Sequence, residues 1–256
     1  MRLLLWLSFL LLSGAWLPLS AATVVQIGCS LSIPPYVIPH NDRGIMLDLL
    51  RRSLANSGLS LHLEYNSNHS NADDFNQGRL DGLCITNRQA TPTAFFASAP
   101  LVSFQNVAIT LEERNLQLSN ISDLGQYRVQ AFSLARQLLP AEFAATVSAA
   151  PLYLEQGDQI EQVRALFAGE TDVIVMEQTV FRYFLSQLRR QNPTGPAASK
   201  RYRYIILFPP TEYYPAFRTA ALRDQFDQGF QQLHDSGEEQ RIIQSYEQLL
   251  ADYLFR

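Results

Sequence analysis

The sequence is poor in the residues and motifs that carry metal, redox or phosphate chemistry. It contains two cysteines and four histidines, and neither set has the short spacing of a metal site. A glycine-rich phosphate loop, a nucleophile elbow and a paired catalytic motif are also missing. We therefore expect no cofactor, no bound metal and no catalytic residue, and the protein is not expected to be an enzyme.

Positive charge is in short supply and is not clustered. The chain has 20 Lys and Arg residues against 24 Asp and Glu residues, which gives a formal net charge of -4 at pH 7. It contains neither a basic tail nor a basic stripe. Because binding to nucleic acid or to an anionic membrane surface relies on such positive patches, we expect no nucleic-acid partner.

Beyond the first 22 residues, no segment is long and apolar enough to cross a membrane. Within those 22 residues, Arg2 precedes an apolar core and a stretch of small residues that ends at Ala22, which is the pattern of a cleaved secretory signal. An uncleaved membrane anchor is the alternative, but Gly14 and Pro18 interrupt the run, which is shorter than the roughly 20 apolar residues of a span. We expect cleavage after Ala22 and export of residues 23–256 to the periplasm.

One short pattern occurs twice in the chain. QGRLDGLCIT at 77–86 and AGETDVIVME at 168–177 both contain Gly-x-x-Asp followed by a short apolar run. Each copy also follows a segment with helical periodicity, so each predicts a helix, a glycine that ends it and a buried strand. The repetition indicates two similar α/β units, although a single Gly-x-x-Asp would also suit an ordinary joint between a helix and a strand.

The order of the predicted elements also indicates two units. The first unit has predicted strands at 23–28, 59–65 and 83–86 and helices at 44–54 and 73–77. The second has strands at 127–131, 150–154, 173–176 and 204–208 and helices at 133–139, 159–168 and 179–190. A broken amphipathic helix covers 221–255. The long apolar segment 101–111 is interpreted as the crossover between the units. Alternation of strands and helices is typical of mostly parallel, helix-covered sheets.

An ordered series of motifs resembles the extracellular solute-binding proteins of the polar amino-acid uptake type. The series covers nearly all of the mature chain and comprises Pro34-Pro-Tyr36, Gly44-Ile-Met-Leu-Asp48, Gly78-Arg-Leu-Asp81, Phe96-Ala-Ser-Ala-Pro100, Ser122-Asp-Leu-Gly-Gln-Tyr-Arg-Val129, Gly169-Glu-Thr-Asp172 and the ending from Leu222 to Gly237. The resemblance implies the two-lobed type II periplasmic binding fold, in which each lobe is a mostly parallel sheet flanked by helices and a hinge joins the lobes.

The resemblance also implies a domain division and a function. Lobe one would comprise 23–106 and 211–256, and lobe two 107–210, after a signal peptide at 1–22. The protein would be a monomer that captures a small polar ligand, an amino acid or a related amine or carboxylate, in the cleft between the lobes. It would deliver the ligand to the permease of an ABC transporter. Similar proteins also include receptor-coupled ligand sensors and dehydratases, and both remain alternatives.

Loops that follow the predicted strands of lobe one supply three candidate ligand-binding residues, namely Tyr36, Thr86 and Arg88. Tyr36 would stack on the ligand or on its ammonium group, unless its ring folds onto the core. Arg88 would clamp a carboxylate, unless it is a solvated surface residue. The family carries Thr-Pro-Glu-Arg where this chain has Thr91-Pro-Thr-Ala94, so the usual carboxylate anchor is missing from its place and amino-acid specificity stays open.

Lobe two supplies two further candidates, Ser133 and Glu177. Glu177 follows a strand at the place where the family often has an Asp that meets an α-ammonium group, but a Glu at the start of a helix is also favoured by the helix dipole alone. Ser133 would open a helix whose amide groups and hydroxyl hold an anionic group of the ligand, or it would simply cap that helix.

The two cysteines, Cys29 and Cys84, lie near the ends of the first and third predicted strands, which are neighbours in this sheet order. In an oxidising compartment they could form a disulfide. A bridge between adjacent parallel strands has demanding geometry, so two buried thiols are the alternative.

Overall fold

The computed structural model describes residues 23–88 and 90–254, and the signal peptide predicted at 1–22 lies outside this part of the chain. The strands are β1 Thr23–Ser30, β2 Leu59–Asn66, β3 Gly82–Leu83, β4 Phe95–Phe96, β5 Val102–Phe104, β6 Asn106–Leu111, β7 Arg128–Phe132, β8 Leu152–Gln156, β9 Val173–Glu177, β10 Tyr202–Ile205, β11 Thr211–Tyr213 and β12 Ala216–Phe217. The α-helices are α1 Ile45–Leu54, α2 Asn68–Asn76, α3 Ala135–Leu138, α4 Ala141–Val147, α5 Gln159–Ala168, α6 Gln178–Gln191, α7 Pro196–Ser199, α8 Ala220–Asp235 and α9 Glu238–Leu254.

The strands form two five-stranded sheets and one two-stranded ribbon. The first sheet has the order β2-β1-β3-β12-β4 and the second the order β10-β6-β9-β7-β8. In each sheet three neighbouring strands are parallel, β2-β1-β3 in the first and β9-β7-β8 in the second, while the remaining strands pair antiparallel. We call the first sheet with its helices lobe one and the second lobe two. The antiparallel ribbon β5-β11 lies in the two chain segments that pass between them.

The repeated Gly-x-x-Asp pattern has the same structure in both lobes. Gly78 and Gly169 each adopt a positive φ, 85° and 78°, just after a helix, a conformation that glycine adopts without a steric penalty. The carboxylate of Asp81 accepts a bond from the amide of Gln26 at 2.9 Å, and that of Asp172 accepts one from the amide of Arg128 at 3.0 Å.

In return, the amides of the two aspartates donate to the carbonyls of those same strand residues, at 2.8 and 3.0 Å. Each aspartate therefore fastens the joint between a helix and a strand to a neighbouring parallel strand of its own lobe, β1 for Asp81 and β7 for Asp172.

Apolar side chains fill the space between sheets and helices in each lobe. In lobe one, α1 and α8 pack so closely that a Cβ on Gly229 would collide with the carbonyl oxygen of Ser53. In lobe two, separate apolar clusters cover the two faces of the sheet. Helix α6 of lobe two also packs against α9, and its residue Val180 belongs to the core of lobe one. The lobes therefore meet through apolar contacts near the N-terminal half of α6.

Several element boundaries differ from the sequence-based prediction. The single long segment 101–111 is two strands, β5 and β6, and the helix predicted to start at Ser133 starts at Ala135. Helix α4 was not predicted. The break at Ser236-Gly237 is confirmed, with Gly237 at a φ of 70° between α8 and α9. Within residues 23–88 and 90–254, no helix has the length and apolar character needed to cross a membrane.

Candidate functional site

The register of lobe two places Ser133 and Glu177 at one edge of its sheet. Strands β7 and β9 run parallel with Ala131 opposite Val175, so both candidates follow two residues later at the carboxyl end of the strands. In lobe one, β1 and β3 are parallel with Gly28 opposite Leu83, and Thr86 follows at the corresponding end. Carboxyl ends of parallel strands are the usual place of ligand clefts in such sheets.

Tyr36 lies in a short loop that helix α1 holds in place. The amide of Met46, in the first turn of α1, donates to the carbonyl of Tyr36 at 3.1 Å. Gly44, at a φ of 141°, lies directly under this loop, and a Cβ there would collide with the same carbonyl oxygen. The side chain of Tyr36 is only 6% exposed. Its ring packs on Phe104 at a centroid distance of 4.5 Å, and Phe104 packs on Tyr213 at 4.7 Å.

This aromatic row joins lobe one to the connecting ribbon, because Phe104 lies on β5 and Tyr213 on β11. The ring of Tyr36 packs into the core of lobe one, as the alternative reading of this residue predicts. Its hydroxyl, however, faces Glu177 and Thr179 of lobe two. Burial and the neighbouring Glu177 raise the pKa of Tyr36 far above its ordinary value, so this hydroxyl stays protonated and can donate.

Glu177 is a buried carboxylate at the end of β9, with 5% of the residue exposed. It also caps α6, because its Oε2 accepts bonds from the amides of Thr179 at 2.7 Å and Val180 at 2.9 Å. Burial raises its pKa to about 7, although the amides of Val180 and Thr179 and the hydroxyl of Tyr36 all stabilise the charged form. Glu177 thus caps a helix, and its role as the partner of a ligand's ammonium group stays a prediction.

The structure does not join the other two candidates of lobe one to this pair through any described contact. The hydroxyl of Thr86 lies 3.2 Å from that of Thr91, whose hydroxyl also bonds the carbonyl of Asn87. Arg88 is exposed, and its guanidinium lies over the ring of Phe96, 4.7 Å from the centroid. In this arrangement Arg88 packs within lobe one, and its role as a carboxylate anchor stays a prediction.

Ser133 is exposed and does not cap a helix, which corrects the expectation that it would open one. The N-cap of α3 is Leu134, a residue with a φ of 67° and no capping side chain. Two of the amides that follow Ser133 already have an acceptor: the carboxylate of Glu155 accepts from Leu134 at 2.9 Å and from Arg136 at 3.1 Å. Any ligand bonded by Ser133 would therefore contact its hydroxyl, not these amides.

Cys29 and Cys84 form a disulfide in the structure, with a Cα–Cα distance of 5.0 Å. Both residues are buried at the carboxyl ends of β1 and β3. The carbonyl of Cys29 accepts a bond from the Asn71 side chain at 2.8 Å, and the amide of Cys84 donates to Gly28 at 2.9 Å. The bridge thus ties two strand ends together directly under the loop that leads to Tyr36.

Sequence reasoning missed Phe104, Tyr213, Thr179 and Glu155 as parts of this region. The first two lie on the connecting ribbon, where an alternating apolar pattern predicts only a strand. Thr179 could have been noticed, because it lies two residues after Glu177 at a predicted helix start. At that spacing its amide and hydroxyl reach the capping carboxylate. Nothing local marks Glu155, whose amide partners lie about 20 residues earlier in the chain, as the separations of 21 and 19 show.

Two further features bear on what the protein can bind. In the described part of the chain, no group of three or more His, Cys, Asp or Glu side chains is placed to hold a metal ion. A cavity of about 250 Å³ lies in lobe two between α5, α6 and α7, lined mainly by apolar side chains that include Phe167, Leu188 and Ala197. This cavity lies apart from Tyr36 and Glu177, since neither of them lines it.

The fold is similar to solved binding proteins. An amino-acid ABC-transporter substrate-binding protein from Streptococcus pneumoniae, bound to L-arginine, matches with a TM-score of 0.64 and 16% identity, covering 91% of this chain and 97% of that one. A histidine kinase sensor domain with similarity to periplasmic binding proteins gives 0.65 and 17%, covering 88% and 96%. An ancestral amino-acid-binding protein, described as a precursor of cyclohexadienyl dehydratase, gives 0.63 and 11%, covering 87% and 95%.

No protein-family model matches the chain, and no curated protein sequence matches it significantly. The structural likeness nevertheless spans nearly the full length of each of these proteins, and it confirms the predicted α/β, two-lobed type II periplasmic-binding-protein fold. At identities of 11–17% it shows the fold and not the ligand.

Proposed function

We propose that the protein is a periplasmic solute-binding protein that captures a small polar ligand between its lobes and delivers it to the permease of an ABC transporter. The observation that carries this proposal is the contact between the lobes beside the connecting ribbon: Val180, whose amide donates to Glu177 of lobe two, packs in the same buried cluster as Tyr36 of lobe one. The solved protein from Streptococcus pneumoniae, which has the same fold, is an ABC-transporter substrate-binding protein bound to L-arginine.

The geometry suits a ligand that carries a hydrogen-bond donor or a positive charge. Glu177 is a carboxylate removed from solvent, and it would accept bonds from an ammonium or a guanidinium. The neighbouring rings of Tyr36 and Phe104 would supply apolar and cation–π contact. Thr86, Arg88 and Ser133, at the edges of the two sheets, would complete the wall of the cleft once the lobes open and close around the ligand.

The same proposal covers location and assembly. A signal peptide at 1–22, cleaved after Ala22, would export the chain to the periplasm, and the mature protein would act as a monomer. The disulfide between Cys29 and Cys84 fits an oxidising compartment of this kind. No catalytic step is proposed for the cleft.

A thermal-shift screen followed by calorimetric titration of the mature protein tests the proposal. The probes are amino acids, polyamines, small carboxylates and short peptides, because a ligand that binds only the folded state raises the melting temperature. We expect at least one saturating binder, whose affinity falls at least tenfold in Tyr36→Ala and is unchanged in Glu170→Gln, a control at an exposed residue of lobe two. Absence of any binder, or equal binding by Tyr36→Ala, would contradict the proposal.

A receptor-coupled sensor is the second candidate, and the likeness to a histidine kinase sensor domain is the observation that favours it. Capture and sensing require the same cleft, so binding assays do not separate them. Neighbouring genes do: transporter genes beside this one would support capture, and a sensor-kinase gene would support sensing. Turnover of a bound compound that is lost in Glu177→Gln would instead indicate an enzyme.

A further inference from the structure

The position at which Ser133 was expected to hold an anionic group of the ligand is filled by a carboxylate of the chain itself. Glu155 lies on β8, opposite Ala131 of β7 in the parallel register. Its two oxygens accept bonds from the amides of Leu134 and Arg136, at 2.9 and 3.1 Å, and from the hydroxyl of Tyr153 at 2.8 Å. The guanidinium of Arg136 lies 3.4 Å away as an ion pair.

This set of partners keeps Glu155 charged. Partial burial would raise its pKa, but the amide of Arg136, the hydroxyl of Tyr153, the amide of Leu134 and the charge of Arg136 together hold it below its usual value. A second carboxylate brought to these amides would find both donors taken and a negative charge in place. The end of β7 is therefore a poor site for an anionic group.

Glu177 adds a second carboxylate at the same edge of the sheet. It is the last residue of β9, the strand on the other side of β7, and it is buried near the hydroxyl of Tyr36, whose ring packs on Phe104. A buried carboxylate with an aromatic side chain nearby is a favourable environment for an organic cation. The end of β9 therefore favours positive charge, while the end of β7 disfavours negative charge.

Lobe one does not restore the missing anion anchor in this arrangement. The segment from Thr91 to Ala94 contains no arginine, and Arg88 lies exposed over Phe96. The two charged ends of an α-amino acid therefore meet different conditions. Oε1 of Glu177, whose described hydrogen-bond partner is the hydroxyl of Thr179 at 3.4 Å, can accept a bond from an ammonium group, whereas the amides of Leu134 and Arg136 already donate to Glu155.

We propose, on the basis of the function proposed above, that the cleft selects organic amines that lack an α-carboxylate over the corresponding amino acids, and that Glu155 is a specificity-determining residue because it occupies the carboxylate position. Glu177 meets the amine, and Tyr36 packs on its hydrocarbon part. The chemical class is that of decarboxylated amino acids and related polyamines.

Calorimetric titration with three matched pairs tests this proposal: arginine and agmatine, histidine and histamine, lysine and cadaverine. The members of each pair differ only in the α-carboxylate. At least one amine should bind the mature protein at least tenfold more tightly than its parent amino acid. Tighter or equal binding of the parent amino acids in all pairs would overturn the inference and leave the proposed function standing. Absence of binding by all six compounds would overturn the inference, and the wider ligand screen would then decide the proposed function.

Two variants address the role of Glu155 directly. Glu155→Ala frees the amides of Leu134 and Arg136, and it should improve binding of the amino acid relative to its amine by at least fivefold. Glu155→Gln keeps an oxygen that accepts from these amides but removes the charge, so it retains the local structure. It should reduce the preference for the amine less than Glu155→Ala does. Glu142→Ala, at an exposed position of α4, is the matched control. An unchanged preference in both Glu155 variants, with normal unfolding midpoints, would overturn its assigned role.

Discussion

The burial of Glu177 predicts a stability difference that depends on pH. Its pKa is raised from 4.5 to about 7, with burial as the largest cause. Each unit is worth about 1.4 kcal/mol, so the shift corresponds to roughly 3 kcal/mol. The sign follows from proton linkage: the folded protein holds this proton more tightly than the unfolded chain does. Its contribution to stability is therefore complete below pH 4.5 and is lost as pH rises through 7.

Glu177→Gln isolates this contribution. Glutamine keeps an oxygen that accepts from the amides of Thr179 and Val180, but it carries no charge to bury. We compare the free energy of unfolding of the variant with that of wild type at each pH. This difference should rise by about 3 kcal/mol between pH 4 and pH 8, whatever its value at pH 4. Glu170→Gln, at an exposed residue, should show no such change relative to wild type.

Urea unfolding of the three proteins at unit steps from pH 4 to pH 8, with the disulfide intact, measures this difference directly. Other titrating groups cancel because they are common to wild type and variant. A difference between Glu177→Gln and wild type that stays flat to within about 1 kcal/mol over this range would refute the reasoning, since it would mean that the carboxylate titrates at an ordinary pKa.

Three further predictions concern the same region. Binding of agmatine should tighten as pH rises through about 7 and release a proton, because a cation favours the charged form of Glu177; calorimetry in buffers of different ionisation enthalpy detects this, and pH-independent binding would contradict it. Replacing Cys29 and Cys84 together by Ser should lower the free energy of unfolding by about 2–4 kcal/mol, because the bridge closes a loop with a sequence separation of 55, and equal urea midpoints would contradict this. Gly44→Ala should cost about 1–3 kcal/mol and weaken ligand binding, because its Cβ displaces the Tyr36 loop; urea unfolding and calorimetry check both, and unchanged values would contradict the assigned packing.

The presence of two α/β units could be predicted from local sequence because both lobes repeat one short pattern, whereas the type II fold was predicted from the resemblance to solute-binding proteins. Gly78 and Gly169 end helices, and Asp81 and Asp172 bond a neighbouring parallel strand of their own lobe, so each short sequence pattern corresponds to one local structure. Hydrophobic periodicity then distinguishes the buried strands from the amphipathic helices. These are short-range effects, and a single sequence is enough to detect them.

The candidate site was only partly predictable, for a physical reason. Tyr36 and Glu177 were identified because each follows a strand, but their meeting depends on how two separate sheets approach each other. The positive φ of Leu134 directs two amides at Glu155, a carboxylate on another strand, and nothing in the residues around Ser133 indicates this. Contacts of this kind are set by tertiary structure, which a local pattern does not encode.

An amide NMR titration of the mature protein with the tightest binder among the six matched compounds tests the central claim, that the ligand lies between the lobes at Tyr36 and Glu177. The amides of Thr179 and Val180 bond the Glu177 carboxylate and therefore report on it. We predict that their signals and that of Tyr36 shift together and saturate with the calorimetric affinity. Shifts that instead cluster around Leu188 and Ala197, at the cavity of lobe two, while these three signals stay in place, would contradict the account.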